Sequence, residues 1–228
     1  MRWADRTLIV WLGAVVAAAA VFALWPGIDR WASALFFRDG AFPLADLAAL
    51  NLLRQALWDL SIAVFLAALF LALWTAWRGP VAGIGLRVWV FVAALYVLGP
   101  GLLVNGVLKN NWGRARPAQV TDFGGRADFT PFWQIADQCQ SNCSFVSGEG
   151  SAAVALAISV FVIVAAMRPS LPAAWRRTIQ ALAVLAAAAG LFQRLATGRH
   201  FLSDTVFAAL FVAGIALALD RLLLRRKG

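Results

Sequence analysis

The 228-residue sequence predicts an all-α integral membrane protein: a bundle of six transmembrane helices with both termini cytoplasmic. Three observations lead there. Hydrophobic residues make up 62% of the chain and charged residues only 14%, a balance no soluble domain of this size needs. Six stretches of 15 to 21 residues carry no charge at all, against roughly 20 residues needed to cross the hydrocarbon as helix. The basic residues, finally, are unevenly divided among the connections between those stretches.

In chain order, the first span is expected at about 8–25; it is too long, and too poor in a small-residue cleavage site, for a removable signal, so it reads as a retained anchor. Segment 26–59 carries Ile28, Trp31, Leu35 and Phe36 at helical spacing among Asp29, Arg30, Arg38 and Asp39, which predicts a segment lying in the outer interface, either a vestibule for a lipid or a cap on the bundle. Spans follow at about 60–77 and 88–108, joined by a short Gly- and Pro-punctuated turn. Residues 109–147 form the one long polar excursion, expected as the outer catalytic loop. The remaining spans are expected at about 150–167, 178–193 and 202–219. Trp25, Trp58, Trp74, Trp77, Trp89, Trp112 and Trp175 fall near run ends, as in an interfacial belt. No internal repeat is visible, so residues 1–228 read as a single transmembrane domain.

Orientation follows from Lys and Arg, which stay cytoplasmic in short loops. One side carries Arg2, Arg6, Arg78, Arg87, Arg168, Arg176, Arg177, Arg221, Arg225, Arg226 and Lys227 against Asp5 and Asp220, or 11 − 2 = +9. The other side carries nine basic and nine acidic residues. The whole net charge of +9 therefore reports topology and implies no nucleic-acid partner. Cys139 and Cys143, the only cysteines, fall in one polar loop on the neutral side, where an oxidising compartment favours a disulfide over a metal pair.

Chemistry-bearing residues gather on that neutral side. Lys109 and Arg116 follow the third span, Ser147 and Gly148 precede the fourth, and Arg194, His200 and Asp204 lie between and at the ends of the last two. Guanidinium and ammonium groups contact the non-bridging oxygens of phosphate, and the N-terminus of a helix offers free N–H groups to an anion. Taken singly, a basic cluster beyond a span commonly just snorkels, and a Ser at a helix start is an ordinary N-cap. His200, the only histidine, stands four residues before Asp204, so a helix beginning by His200 would put both on one face, with the carboxylate accepting from one imidazole nitrogen and the other left to attack. Charges at membrane depth such as Arg194 and Asp204 are functional candidates by default.

In order and spacing, Lys109–x6–Arg116-Pro117, then Ser147-Gly148, then Arg194–x5–His200–x3–Asp204 resembles the three-part signature of the type 2 phosphatidic acid phosphatase superfamily, in its membrane lipid phosphatase branch. The resemblance implies a metal-independent lipid phosphatase without cofactor. His200 would be the nucleophile forming a phosphohistidine and Asp204 its orienting partner. Lys109, Arg116, Arg194 and the Ser147-Gly148 amides would hold the phosphoryl group. It further implies a lipid phosphate substrate in the bilayer; a phosphotransferase or a non-catalytic lipid-phosphate binding or transport protein are the alternatives. A short, Ala- and Arg-rich six-span chain with a basic inner face is expected in the inner membrane of a bacterium, with the neutral, motif-bearing side facing the periplasm. The chain departs from the family pattern where Glu149 stands in place of the middle-motif histidine, and Gln193 in place of a serine. Three roles are open to Glu149: the catalytic acid, a residue made dispensable by a stable leaving group, or a carboxylate that recognises an amine or hydroxyl of the head group.

Overall fold

A computed structural model describes residues 3–225 and is all-helical, with six helices long and apolar enough to cross a membrane. Arg2, Arg226 and Lys227 of the charge tally lie outside the described residues. The elements are α1 (Trp3–Leu24), α2 (Gly27–Ala34), α3 (Ala48–Arg78), α4 (Leu86–Tyr96) with a π-helical continuation (Val97–Leu108), α5 (Lys109–Asn111), α6 (Gly148–Ala166), α7 (Ala173–Ala196) and α8 (Leu202–Leu219), which ends in a further π-helical turn (Asp220–Leu224).

Helix α3 begins twelve residues before the charge-free run at 60–77, so about a third of the segment expected to lie in the interface is instead its first three turns. Arg54 and Asp59 interrupt the apolar run without interrupting the helix, because their charges find partners: Arg54 pairs with Glu149, and Asp59 accepts from Gln55 one turn earlier. The α4 continuation has its own logic. Pro100 supplies no N–H to the ladder, and the helix widens around it. Side-chain amides cover carbonyls there, Asn105 donating to Pro100 O at 2.6 Å, Asn110 to Asn105 O at 3.0 Å and Asn111 to Val107 O at 2.6 Å.

Helix α6 runs through the centre, half of its span buried, against only 6% for α1 at the periphery. Its sequence explains the placement: Ser151, Ala152, Ala153, Ala155, Ala157 and Ser159 are small and buried, so neighbouring helices come close. A Cβ at Gly190 of α7 would lie 3.2 Å from Ala153 Cβ and 3.0 Å from Leu57 Cδ1, which marks where α3, α6 and α7 meet. One core joins α3, α4, α6 and α8 around Val92, Leu95, Ala155 and Val212. A second, aromatic cluster ties the outer loop to α8, with Phe132 stacked on Phe207 at 4.5 Å and Phe145 on Trp112 at 4.8 Å. The loop between α5 and α6 is therefore packed, not free. Gly113, at φ +66°, is required there, since a Cβ would come 1.6 Å from Ala136 O.

Candidate active site

The C-terminal ends of α5 and α7 and the N-terminal ends of α6 and α8 meet at one end of the bundle, around a cavity of about 430 Å³. Lys109, Arg116, Gly148, Glu149, Arg194 and His200 line it together, although they are spread over 92 positions of sequence. The lining also includes Arg54 and Arg199.

His200 sits in the turn between α7 and α8, 2% exposed. Its Nδ1 lies 2.8 Å from Ser144 O. A carbonyl oxygen can only accept, so Nδ1 carries the proton and Nε2 keeps its lone pair. Burial pushes the imidazole pKa down to about 3; the Asp204 carboxylate opposes this, and the charges of Lys109 and Arg194 add to it. The ring is neutral at neutral pH, the state a nitrogen nucleophile requires.

Asp204 stands behind this ring, but not as the i, i+4 spacing predicts. Helix α8 begins at Leu202, after His200, and Asp204 Oδ2 is 3.8 Å from Nδ1, beyond hydrogen-bond length. The direct acceptor is Ser144 O. Asp204 instead accepts from Ser144 Oγ at 2.5 Å, Phe201 N at 2.8 Å and Arg114 Nη1 at 2.6 Å. It therefore fixes the segment that holds the ring, and supplies a negative charge next to it.

Arg114 is the centre of that rear network and is fully buried. Its Nε donates to Thr130 O at 2.9 Å, Nη2 to Asp29 Oδ2 at 2.8 Å, and Nη1 also to Ser203 Oγ at 2.8 Å, while the guanidinium lies 4.4 Å from the Phe201 ring centroid. Asp29, from α2, accepts from Ser203 N and Oγ at 2.8 and 2.6 Å. Burial raises the Asp29 pKa, with Arg114 holding it back. Sequence reasoning passed over Asp29, Arg114, Ser144 and Ser203. For Arg114 a signal existed, an arginine inside the Lys109–Arg116 motif, but nothing in the sequence distinguished a buried guanidinium from a snorkelling one.

The phosphate-binding candidates divide. Lys109 Nζ donates to Cys143 O at 3.0 Å and Arg116 Nη2 to Asn142 O at 2.8 Å, so both cations are steadied by one loop, the loop closed by the Cys139–Cys143 disulfide with its Cα atoms 5.6 Å apart. Burial lowers the Arg116 pKa, and neighbouring Arg199 adds to that. Arg194 is buried, and its Nε has no hydrogen-bond partner. Gly148 lines the cavity, and a Cβ there would come 2.9 Å from Asn105 Oδ1. Ser147 does not line it. Its hydroxyl caps α6 by accepting from Gly150 N at 3.1 Å and its N–H donates to Asp204 O at 3.2 Å, so its amide is already paired.

Glu149, on the first turn of α6, lies between two arginines: Arg54 Nη1 is 3.0 Å from Oε1 and Arg194 Nη1 is 2.9 Å from Oε2. The first contact is an aligned hydrogen bond; the second is an ion pair only, and Oε2 has no hydrogen-bond partner. Arg54 is 95 residues away in sequence, and nothing there pointed to it.

The profile of the PAP2 superfamily matches residues 88–227, which includes every motif residue from Lys109 to Asp204. The chain belongs to that superfamily. A lipid A 4'-phosphatase of Rhizobium leguminosarum is 36% identical over 205 residues, covering 83% of this chain and 84% of its own length. Another, of Rhizobium etli, is 34% identical over 225 residues, covering 85% and 82%. Among solved structures, that of a transmembrane PAP2-type phosphatidylglycerolphosphate phosphatase from Bacillus subtilis superposes with a TM-score of 0.57 at 17% identity over 96% of each chain, a likeness of fold.

Proposed function

We propose that this membrane lipid phosphatase removes the phosphate of a phosphorylated glycolipid of the lipid A 4'-phosphate class, at the periplasmic face, through a phosphohistidine on His200. The substrate class is supported by the two relatives that match over most of their length. The observation that carries the mechanism is the state of His200: neutral, protonated at Nδ1 by its bond to Ser144 O, and lining a cavity rich in cations. Nε2 attacks phosphorus while the bond to the lipid oxygen breaks, and that oxygen takes a proton from the water of the cavity. Water then attacks phosphorus, the P–N bond breaks, inorganic phosphate leaves and the imidazole is neutral again. Lys109, Arg116 and Arg194 carry the charge of the three equatorial oxygens through both steps.

Both carboxyl oxygens of Glu149 face guanidinium groups, which only donate, so we assign Glu149 the role of an acceptor and not that of the acid. An apolar cleft of about 480 Å³ between α3 and the α4 continuation shares Trp58 and Asn105 with the cationic cavity, which suits a lipid lying with its chain in the cleft and its phosphate in the cavity. The periplasmic face is supported by the +9 charge on the opposite side.

The test is phosphate release from lipid A by purified full-length protein, with His200→Ala as control and acid-labile, base-stable labelling of the trapped enzyme. Release abolished in the variant together with a labelled imidazole supports the mechanism. Undiminished release by His200→Ala would refute it.

A further inference from the structure

Among the described residues that line the cavity, Glu149 is the only acidic one, and the phosphoryl chemistry above gives it no step. Its surroundings are specific. Oε1 is occupied by Arg54 from α3, whereas Oε2 is buried beside Arg194 without a hydrogen bond, and Arg194 Nε is buried and unsatisfied as well. Two adjacent buried polar atoms, one acceptor and one donor, thus lack hydrogen-bond partners, and unsatisfied buried groups of this kind are costly unless a ligand completes them. A phosphate completes Arg194. What completes Oε2 must be a donor.

We propose that Arg54 and Glu149 form a head-group subsite: Arg54 holds the carboxylate by Oε1, and Oε2 accepts a hydrogen bond from a hydroxyl or amide N–H beside the scissile phosphate. The two arginines then have distinct duties. Arg194 turns its fork toward the phosphate oxygens and uncovers Oε2, while Arg54, partly exposed on α3 and absent from every motif, keeps the Glu149 carboxyl in place once Arg194 has turned away. The subsite selects lipid phosphates whose head group carries a free hydroxyl or amide N–H within reach of Oε2, as an amino sugar does, over those that carry none. Sites built to pair a substrate hydroxyl discriminate strongly against analogues that lack it, because the acceptor is left buried and unpaired.

This deepens the phosphatase reading and rests on it. The test uses two probes that differ only in the donor: a 1-O-alkyl glycerol 3-phosphate with its free 2-hydroxyl, and the same lipid as its 2-O-methyl ether. For full-length protein in detergent, the ratio of kcat/KM between them is expected to be about 10 or more, the scale of one hydrogen bond to a charged group. That ratio should fall to within about twofold in Glu149→Met and be intermediate in Glu149→Gln, which keeps a neutral acceptor. Arg54→Ala should lower it and Arg54→Lys should restore part of it, a rescue that follows from positioning by charge and not from packing. No preference in the wild type, or a ratio that survives Glu149→Met, overturns the proposal. So does an equal loss on both probes, which would make Glu149 part of the chemistry itself. Should neither probe release phosphate, the phosphatase reading stands or falls on lipid A alone. The subsite is then judged by calorimetric binding of the same pair to His200→Ala protein, where a preference that Glu149→Met removes supports it and equal affinities refute it.

Discussion

Behind His200, charge is enclosed and matched: Arg114 meets Asp29 and Asp204, every polar atom of its guanidinium is engaged, and no solvent reaches it. In front, charge is in excess: Arg54, Lys109, Arg116, Arg194 and Arg199 face the cavity against Glu149 alone, 5 − 1 = +4. The two sets are separated by one imidazole ring. A buried network that is fully paired gives rigidity and a defined position, whereas one that is left unpaired holds free energy for a ligand of opposite charge. On the proposed reading the rear set serves the fold and the front set the phosphate, and substitutions on the two sides should fail in different ways.

The largest effect is expected at the rear. Arg114→Ala leaves two buried carboxylates facing each other without a cation, which should destabilise the protein by about 3–5 kcal/mol, read as a lower unfolding temperature in detergent and poor recovery of folded protein. A variant that unfolds at the wild-type temperature would remove the distinction between the two sides. At the front, Lys109→Met or Arg194→Met should leave unfolding within a few degrees and lower kcat/KM by about 10²–10³-fold, the effect of losing one donor to a developing charge.

A smaller effect links the sides through the loop that steadies Lys109 and Arg116. Reducing Cys139–Cys143 should cost about 2 kcal/mol of stability for so short a loop. Because the carbonyls of Asn142 and Cys143 hold the two cations, KM should rise as well. Unchanged kinetics in the reduced protein would show that the loop acts on stability only.

The pH dependence of stability is the finest probe. His200 titrates near 6.5 in the unfolded chain and near 3 when folded, so between those values the unfolded state binds the extra proton. Stability should fall as pH drops from about 6.5 toward 3, and His200 should contribute no slope above that window. The raised pKa of Asp29 acts with the opposite sign, above the ordinary carboxylate range. Denaturant midpoints of wild type and His200→Ala compared across pH 4 to 7 isolate the histidine, and parallel curves would show that its ring is not held neutral.

Spacing made much of this site readable. Lys109, Arg116, Arg194, His200 and Asp204 stand at helix ends, where a charge in an otherwise apolar chain is costly and so informative. The same rule misplaces the start of α3, because Asp59 bounds the charge-free run but lies, like Arg54, within a helix whose charges are paired. It could not separate Ser147, used up as a cap, from Gly148, which faces the cavity. Nor did the four-residue step from His200 to Asp204 reveal that a carbonyl from the outer loop would be the hydrogen-bond acceptor.

Length and absence of charge are local properties, and from them the sequence alone determined a six-helix membrane bundle and which charged residues were candidates for the proposed phosphate site. Pairing is not local. Asp29 with Arg114 and Arg54 with Glu149 lie 85 and 95 residues apart, and only the packing of α2 and α3 against the ends of α6 and α8 brings them within 3 Å. Which charges are neutralised, which face of His200 is free to react, and which oxygen of Glu149 is left open were decided there, because ion pairs and hydrogen bonds depend on distance in space and register nothing in the order of the chain.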